Sequence, residues 1–330
     1  MKAVGVIQLV VLAMAVFAVF VAIVSATVYP HLRQRLMRAE PARRTRALLA
    51  LSVLPAVAAV GLTALCFLPS TLGTLWPDFD HCPHHGNEHP HFCLVHLPLS
   101  SGSLFAWLVA AVVATYPLLR ALHRFTSIAR SRRAFRQIVH SAVFDRARGI
   151  WLVEADFPLA VTTGVLRPRI FMSTALLRSL PPDLVDAVTE HERAHRRRRD
   201  VLLKLVAGIL SLVHLRRTRL RLLADLDLAA EQACDEETGV LLGDRLRVAR
   251  ALLALERLLQ GTGMRVGLAG VSFGSSSVIP RVESLLGAPG SPVPHNKARR
   301  WLVAVAAAAL LLLADPLHHS TETILGLLAR

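Results

Sequence analysis

The chain has 330 residues, 53% of them hydrophobic and only 18% charged. A soluble domain averages about 45–50% apolar with glycine included and about 25% charged, so a disordered or highly solvated chain is excluded. Its 38 Lys+Arg against 23 Asp+Glu give a formal charge of +15, which points to nucleic acid or to an anionic membrane surface according to where the charges sit.

Three long apolar runs come first: Ala3–Val28 with 26 residues, Ala47–Leu68 with 22 and Leu97–Leu119 with 23, all without a charge. A bilayer core of about 30 Å needs about 20 apolar residues per helix, so each is long enough to span. The first could instead be a cleaved signal peptide with Val24-Ser25-Ala26 as its site, but its apolar core far exceeds the usual length of about 7–15 residues. A fourth run, Trp301–Ala314, is shorter; Leu317 extends it and Arg299-Arg300 anchor its start, so it reads as a fourth span. Val201–Leu215 contains Lys204 and reaches only about 22 Å as a helix, which suits a buried or membrane-dipping segment better than a span.

The loops orient these spans. Arg33, Arg35, Arg38, Arg43, Arg44 and Arg46 lie between the first two, the stretch 69–96 has no Lys or Arg, and 120–300 carries 30 basic residues. Arg- and Lys-rich short loops stay in the cytoplasm. The expected order is span 1–28, cytoplasmic loop 29–46, span 47–68, outer loop 69–96, span 97–119, cytoplasmic domain 120–300, span 301–317 and a short outer tail 318–330. Both termini then lie outside the cell membrane. The two cytoplasmic segments hold 36 of the 38 basic residues, so the charge reads as a topology signal and no direct nucleic-acid binding is expected.

The outer loop gathers six histidines and two cysteines between His81 and His96. Cys82 and Cys93, on an oxidising face, most simply close one disulfide. A zinc- or copper-binding site, or a pH sensor, is the alternative for the same residues.

Within the 120–300 block, Ile150–Glu154, Ala160–Thr163 and Ile170–Ser173 read as strands of a small sheet, with a turn at 164–169. An open edge there could receive an extended peptide as an added strand. Asp183 is the expected N-cap of a following helix that carries His191-Glu192-Arg193-Ala194-His195. Positions i and i+4 share a helix face, so His191 and His195 can offer imidazole nitrogens to one zinc ion. Glu192 is then placed to deprotonate metal-bound water.

A second helix, Leu222–Leu242, carries Glu231-Gln232-Ala233-Cys234-Asp235. Zinc peptidases take a third protein ligand, commonly a carboxylate. Glu231 can be that ligand and Asp235 can accept the free N–H of a ligand histidine, although Asp227, Glu236 and Glu237 are neighbouring carboxylates. For the two helices to share one ion, Val201–Leu215 must return to the inner face.

The motifs Gly164–Ile170, His191–His195 with Arg198-Arg199-Asp200 after it, and Glu231–Asp235 resemble the regulatory membrane zinc metallopeptidases typified by the beta-lactam sensor-transducers of bacteria. More distantly the pattern is similar to the prenyl-protein and heat-shock membrane proteases. The resemblance implies zinc ligands His191, His195 and Glu231, the base Glu192, the supporting Asp235, and a target that is a cytoplasmic repressor or the chain itself. The antibiotic sensors carry a penicillin-binding domain after their last span, where only Pro316–Arg330 follows here, so the expected input is the His-rich loop, the spans or a partner. Their aromatic-Asn-Pro motif is replaced by Leu212-Val213-His214-Leu215, which leaves the oxyanion-binding group unassigned.

The expected architecture is mainly α: an integral membrane protein of about four transmembrane helices with a cytoplasmic α+β zincin-like metalloprotease domain carrying a small sheet. The expected function is a zinc endopeptidase with one Zn2+ ion, acting on a protein or peptide at the cytoplasmic side of the lipid bilayer. The alternative is a non-catalytic metal- or pH-responsive sensor that works through its outer loop.

Overall fold

The computed structural model describes residues 2–76, 92, 103–262, 271–272, 278–287 and 314–329. Helix α1 (Lys2–Met37) and helix α2 (Pro41–Cys66), extended by the short α3 (Leu68–Leu75), pair as an apolar hairpin, and α4 (Leu104–Ile138) lies against α1. Among the described residues, Val4–Met37, Pro41–Gly73 and Leu104–Ile138 are long and apolar enough to cross a membrane. Many of their large side chains remain outward-facing, Phe20, Val57, Val60, Leu108 and Leu118 among them, as a lipid-contacting surface requires. Helix α1 runs well beyond Val28, through Pro30, and α4 runs past Pro117 and Leu119 into the basic stretch.

The sheet follows α4. Strands β1 (Val143–Asp145), β2 (Ile150–Val153), β3 (Ala160–Thr163), β4 (Arg169–Ser173) and β5 (Val271–Ser272) are ordered β1-β2-β4-β3-β5, with only β2 and β4 parallel. The turn from β3 to β4 needs Gly164, whose φ is +107° and where a Cβ would lie 2.6 Å from the Arg167 carbonyl oxygen. One face of the sheet receives Phe135 from the end of α4, which meets Phe171 edge-on. The other face packs Ile150, Ile170 and Met172 against Val185 and Val188 of α6 (Pro182–Arg198) and Leu252 of α9 (Arg245–Thr262). The strand edge expected to stand open beside the His191–His195 helix is taken by β5, with Thr162 opposite Val271 and Val161 opposite Ser272. No sequence signal as short as Val271-Ser272 distinguishes a strand from a loop.

Helix α5 (Thr174–Ser179) leads into α6, and α7 (Asp200–Leu210) with the single 3-10 turn Ser211–Val213 returns the chain to α8 (Arg216–Leu242). The apolar segment from Val201 thus makes a helix of under three turns that packs on α2, and the chain turns back at His214. Helix α10 (Val278–Leu286) closes over α8 and α9.

Two contacts join the apolar hairpin to α8. Asp225 accepts from the Tyr29 hydroxyl at 2.5 Å and from Arg33 Nε and Nη2 at 2.6 and 2.8 Å. Arg44 of α2 donates to the Gln232 side chain, whose amide in turn donates to the Pro280 carbonyl at 2.7 Å. Around them Tyr29, Leu48, Ala207, Leu222, Leu226 and Ala229 form one apolar cluster.

At the opposite end of the hairpin, α11 (Ala314–Ala329) packs on α1, α2, α3 and α4. The fourth apolar run, as far as residue 313, lies outside the described residues, as do Cys82 and Cys93 with their expected disulfide; among the described residues, Cys66 and Cys234 are buried free thiols. The stretch from 318, expected as a tail, is helical to Ala329. Asp315-Pro316 interrupts the apolar composition, yet that pair is equally a helix-start signal.

Replacing Asp225 with Ala leaves Tyr29 and Arg33 without their shared acceptor. The expected cost is about 1.5–3 kcal/mol, the range for hydrogen bonds to a charged group, read as a lower melting temperature of the purified protein in detergent.

Candidate metal centre

Helix α6 begins with Pro181 at the cap and Pro182 in the first turn, so Asp183 is not the N-cap but an acidic residue inside that turn. Proline is preset for this position and a carboxylate there opposes the positive helix end, so the helix starts firmly without a side-chain cap. It ends at Arg199 in the left-handed region, φ 56° and ψ 39°, the one non-glycine residue with positive φ among those described. This single reversal puts Asp200 at the start of α7, directed back at α6.

His191 and His195 project from one face of α6 with ring centroids 4.7 Å apart and planes at 86°. His195 Nδ1 donates to Asp200 Oδ2 at 2.8 Å, and His191 Nδ1 lies 2.9 Å from Asp235 Oδ1 of α8. A carboxylate only accepts, so His195 Nδ1 carries the proton and its Nε2 presents a lone pair, and the approach of Asp235 to Nδ1 favours the same tautomer of His191. Those Nε2 atoms stand 3.5 and 3.6 Å from the same oxygen, Glu231 Oε2. All three side chains are fully buried.

These spacings are too long for hydrogen bonds and lie near the roughly 3.3 Å that separates ligand atoms around a tetrahedral ion with bonds of about 2.0–2.1 Å. His195 Nε2 and Glu231 Oε2 have no hydrogen-bond partner. Two imidazole nitrogens and one carboxylate oxygen, buried and converging, are a donor set that fits a metal ion.

The remaining carboxylates sort themselves by contact. Glu231 Oε1 faces Lys204 Nζ at 3.3 Å, and Lys204 also meets Asp227 at 3.1 Å. Glu236 pairs with Arg245 and Glu237 with Arg197. Asp235 is gripped through both oxygens by Arg281 of α10, at 2.8 and 2.7 Å, and Arg281 Nη1 lies 3.3 Å from Glu231 Oε2. Although burial opposes its ionisation, the neighbouring His195, Lys204 and Arg281 hold Glu231 well below the usual carboxylate range. Arg281 overcomes the same burial penalty at Asp235 and keeps it ionised.

Glu192 behaves differently. It is fully buried, its Oε2 accepts from the Thr162 hydroxyl at 2.6 Å, and its Oε1 has no hydrogen-bond partner. Burial raises its pKa, and the opposing pull of His195, His191 and the Thr162 hydroxyl does not cancel that rise. Cys234, beside His195 Nδ1 and Asp200 at 3.2 Å each, has its thiol pushed up to about 12 by burial and stays protonated. His214 is elsewhere: its Nε2 donates to the Leu51 carbonyl at 3.0 Å on α2.

Four contributors carry site contacts that the sequence reading did not assign: Asp200, which stood only as part of the motif after the zinc helix, Thr162, Lys204 and Arg281. Lys204 was visible as a lone charge in an apolar run. Arg281 could have been found as the one charge on the face of α10 that Val278, Val282 and Leu285 turn to the core.

A buried site of this kind, on a chain whose described residues include three membrane-long apolar helices, defines a membrane-associated metallopeptidase. The family model described as BlaR1 peptidase M56 matches residues 101–285, and the chain belongs to that family. No curated protein and no solved structure matches it.

Arg281→Met removes a fully buried cation that bridges Asp235 and Glu231 and leaves buried charge uncompensated. A loss of about 3–5 kcal/mol is expected, seen as a lowered unfolding midpoint, and the conservative Arg281→Lys should recover part of it.

Proposed function

We propose that this protein is a zinc-dependent endopeptidase of the cell membrane, regulatory in role, with its active site on the cytoplasmic side. The observation that carries the reading is the convergence of His191 Nε2 and His195 Nε2 on Glu231 Oε2, with Glu192 one position along the same helix. His191, His195 and Glu231 would hold the ion. When bound, zinc supplies a Lewis acid for the scissile carbonyl and an acidified water.

The chain's own residues do the rest. Glu192, raised by burial toward the range suited to proton transfer, takes the proton of the attacking water and delivers it to the leaving amine. Thr162 holds one oxygen of Glu192 and so aims the other. Asp235 and Asp200 fix the tautomers of His191 and His195. The cytoplasmic placement rests on 36 of 38 basic residues falling in 29–46 and 120–300.

The substrate is a protein on that side, a transcriptional repressor or a segment of the chain itself. One feature favours the second. Strand β5 lies antiparallel along β3 with Val271 opposite Thr162, the residue that touches Glu192. An extended segment on the sheet edge beside the base is the posture of a peptide bound by strand addition.

Glu192→Gln should retain zinc while lowering cleavage of casein, or release of the chain's own fragments, by about 10²–10⁴-fold. His191→Ala and Glu231→Ala should lose the ion itself, and Asp235→Asn should weaken zinc binding by about 10–100-fold. Undiminished proteolysis by the Glu192→Gln protein would sink the assignment.

A further inference from the structure

A second group of metal-ligating side chains lies at the far end of the helical hairpin from α8. Helix α11 brings His318, His319 and Glu322 together with ligand atoms all within 4.8 Å of one another. His318 and Glu322 are four residues apart and share a helix face. His318 is fully buried, and its Nδ1 lies 2.6 Å from the carbonyl oxygen of Cys66, at the end of α2. A carbonyl can only accept, so Nδ1 carries the proton and Nε2 is directed at Glu322 Oε1, 3.0 Å away. A backbone carbonyl on one ring nitrogen is the usual means of fixing the tautomer of a metal-binding histidine.

Glu322 is itself held in place. Its Oε1 accepts the Phe92 backbone N–H at 2.8 Å, and Phe92 packs edge-on against Phe67 within the apolar cluster that includes Cys66 and Leu317. Its Oε2 lies 4.0 Å from His319 Nδ1. The rings of His318 and His319 stand nearly perpendicular, at 85°, so both can address one point. The His319 side chain is 40% exposed, which gives an ion a way in. The 3.0 Å between His318 Nε2 and Glu322 Oε1 is a hydrogen-bond distance, so an ion bound here would take the place of the proton the pair shares.

We infer that His318, His319 and Glu322 form a second metal site, distinct from the one on α6 and α8. Two imidazoles and a carboxylate suit a divalent ion of the zinc, nickel and copper class. A bound ion clamps α11 to the end of α2 and to Phe92, so its occupancy sets the packing of the bundle end and takes no part in peptide cleavage.

The test counts zinc on the full chain, purified in detergent with any affinity tag removed and dialysed against buffered zinc. His319→Ala and Glu322→Gln should each bind one ion per chain fewer than the wild type. Combining either with His191→Ala should remove one more, which separates this site from the peptidase centre. Because His319 is half-exposed, His319→Ala should melt like the wild type without zinc and lack part of the zinc-induced rise in melting temperature. An unchanged zinc-to-chain ratio in either single variant overturns the site and leaves His318–Glu322 as an imidazolium–carboxylate pair alone.

Discussion

Two imidazoles can turn their Nε2 lone pairs toward one carboxylate oxygen only when something holds both Nδ1 protons, and most of the described fold outside the bundle serves that constraint. Asp200 and Asp235 hold them, and both are buried to within 1% of full exclusion from solvent, as are Glu192 and Glu231. Four carboxylates in one small volume cost several kcal/mol each unless compensated. Arg281 supplies a fully buried cation, and the partly buried Lys204 and Arg198 add two more, Arg198 approaching Asp200 at 3.5 Å. One negative charge is left over among these groups, which favours a cation among the three converging donors.

The helix that carries Glu231 and Asp235 also supports the apolar hairpin. Asp225 and Gln232 are seven residues apart on α8, nearly two turns, and therefore lie on one face; that face meets Tyr29, Arg33 and Arg44. Glu231 and Asp235, four apart, lie on another face, which meets α6 and α10. Gln232 joins the two faces by donating to Pro280, one residue before Arg281. A displacement of α1 or α2 along α8 is thus transmitted to the ligand-bearing turn with no intervening loop. It also explains part of the +15 charge: Arg33 and Arg44, whose composition first suggested nucleic acid or lipid, are spent on contacts within the chain.

The parts legible in the sequence were those with a local signal. The i and i+4 histidines, the paired acidic positions on α8, the three strands and the long apolar runs each declare themselves within about ten to thirty residues, through periodicity or spacing. What could not be read was long-range. Arg281 lies 90 residues from His191 and reaches it through the packing of α10 on α8. Thr162 meets Glu192 across 30 residues because β3 runs beneath α6. Strand β5 exists only by virtue of the edge it covers. Glu236 and Glu237, turned away from Glu231 and Asp235 by the helical phase, end on Arg245 and Arg197, partners that lie outside α8.

Arg199 shows how local strain is exchanged for geometry. A left-handed non-glycine residue costs roughly 1–2 kcal/mol, and glycine would relieve most of it. The alternatives at this junction are worse. Continuing α6 through Arg199 would carry Asp200 about 100° around the helix per residue and rotate it away from His195. A longer loop would free Asp200 to sample other positions and weaken its hold on Nδ1 at ordering cost. The one-residue reversal leaves Asp200 both at the positive end of α7, where a carboxylate is stabilised, and 2.8 Å from His195 Nδ1. The arginine side chain beside three others in Arg196–Arg199 remains at the surface, so the strain falls on the backbone alone, and the surrounding packing of α6, α7 and α8 over-determines it.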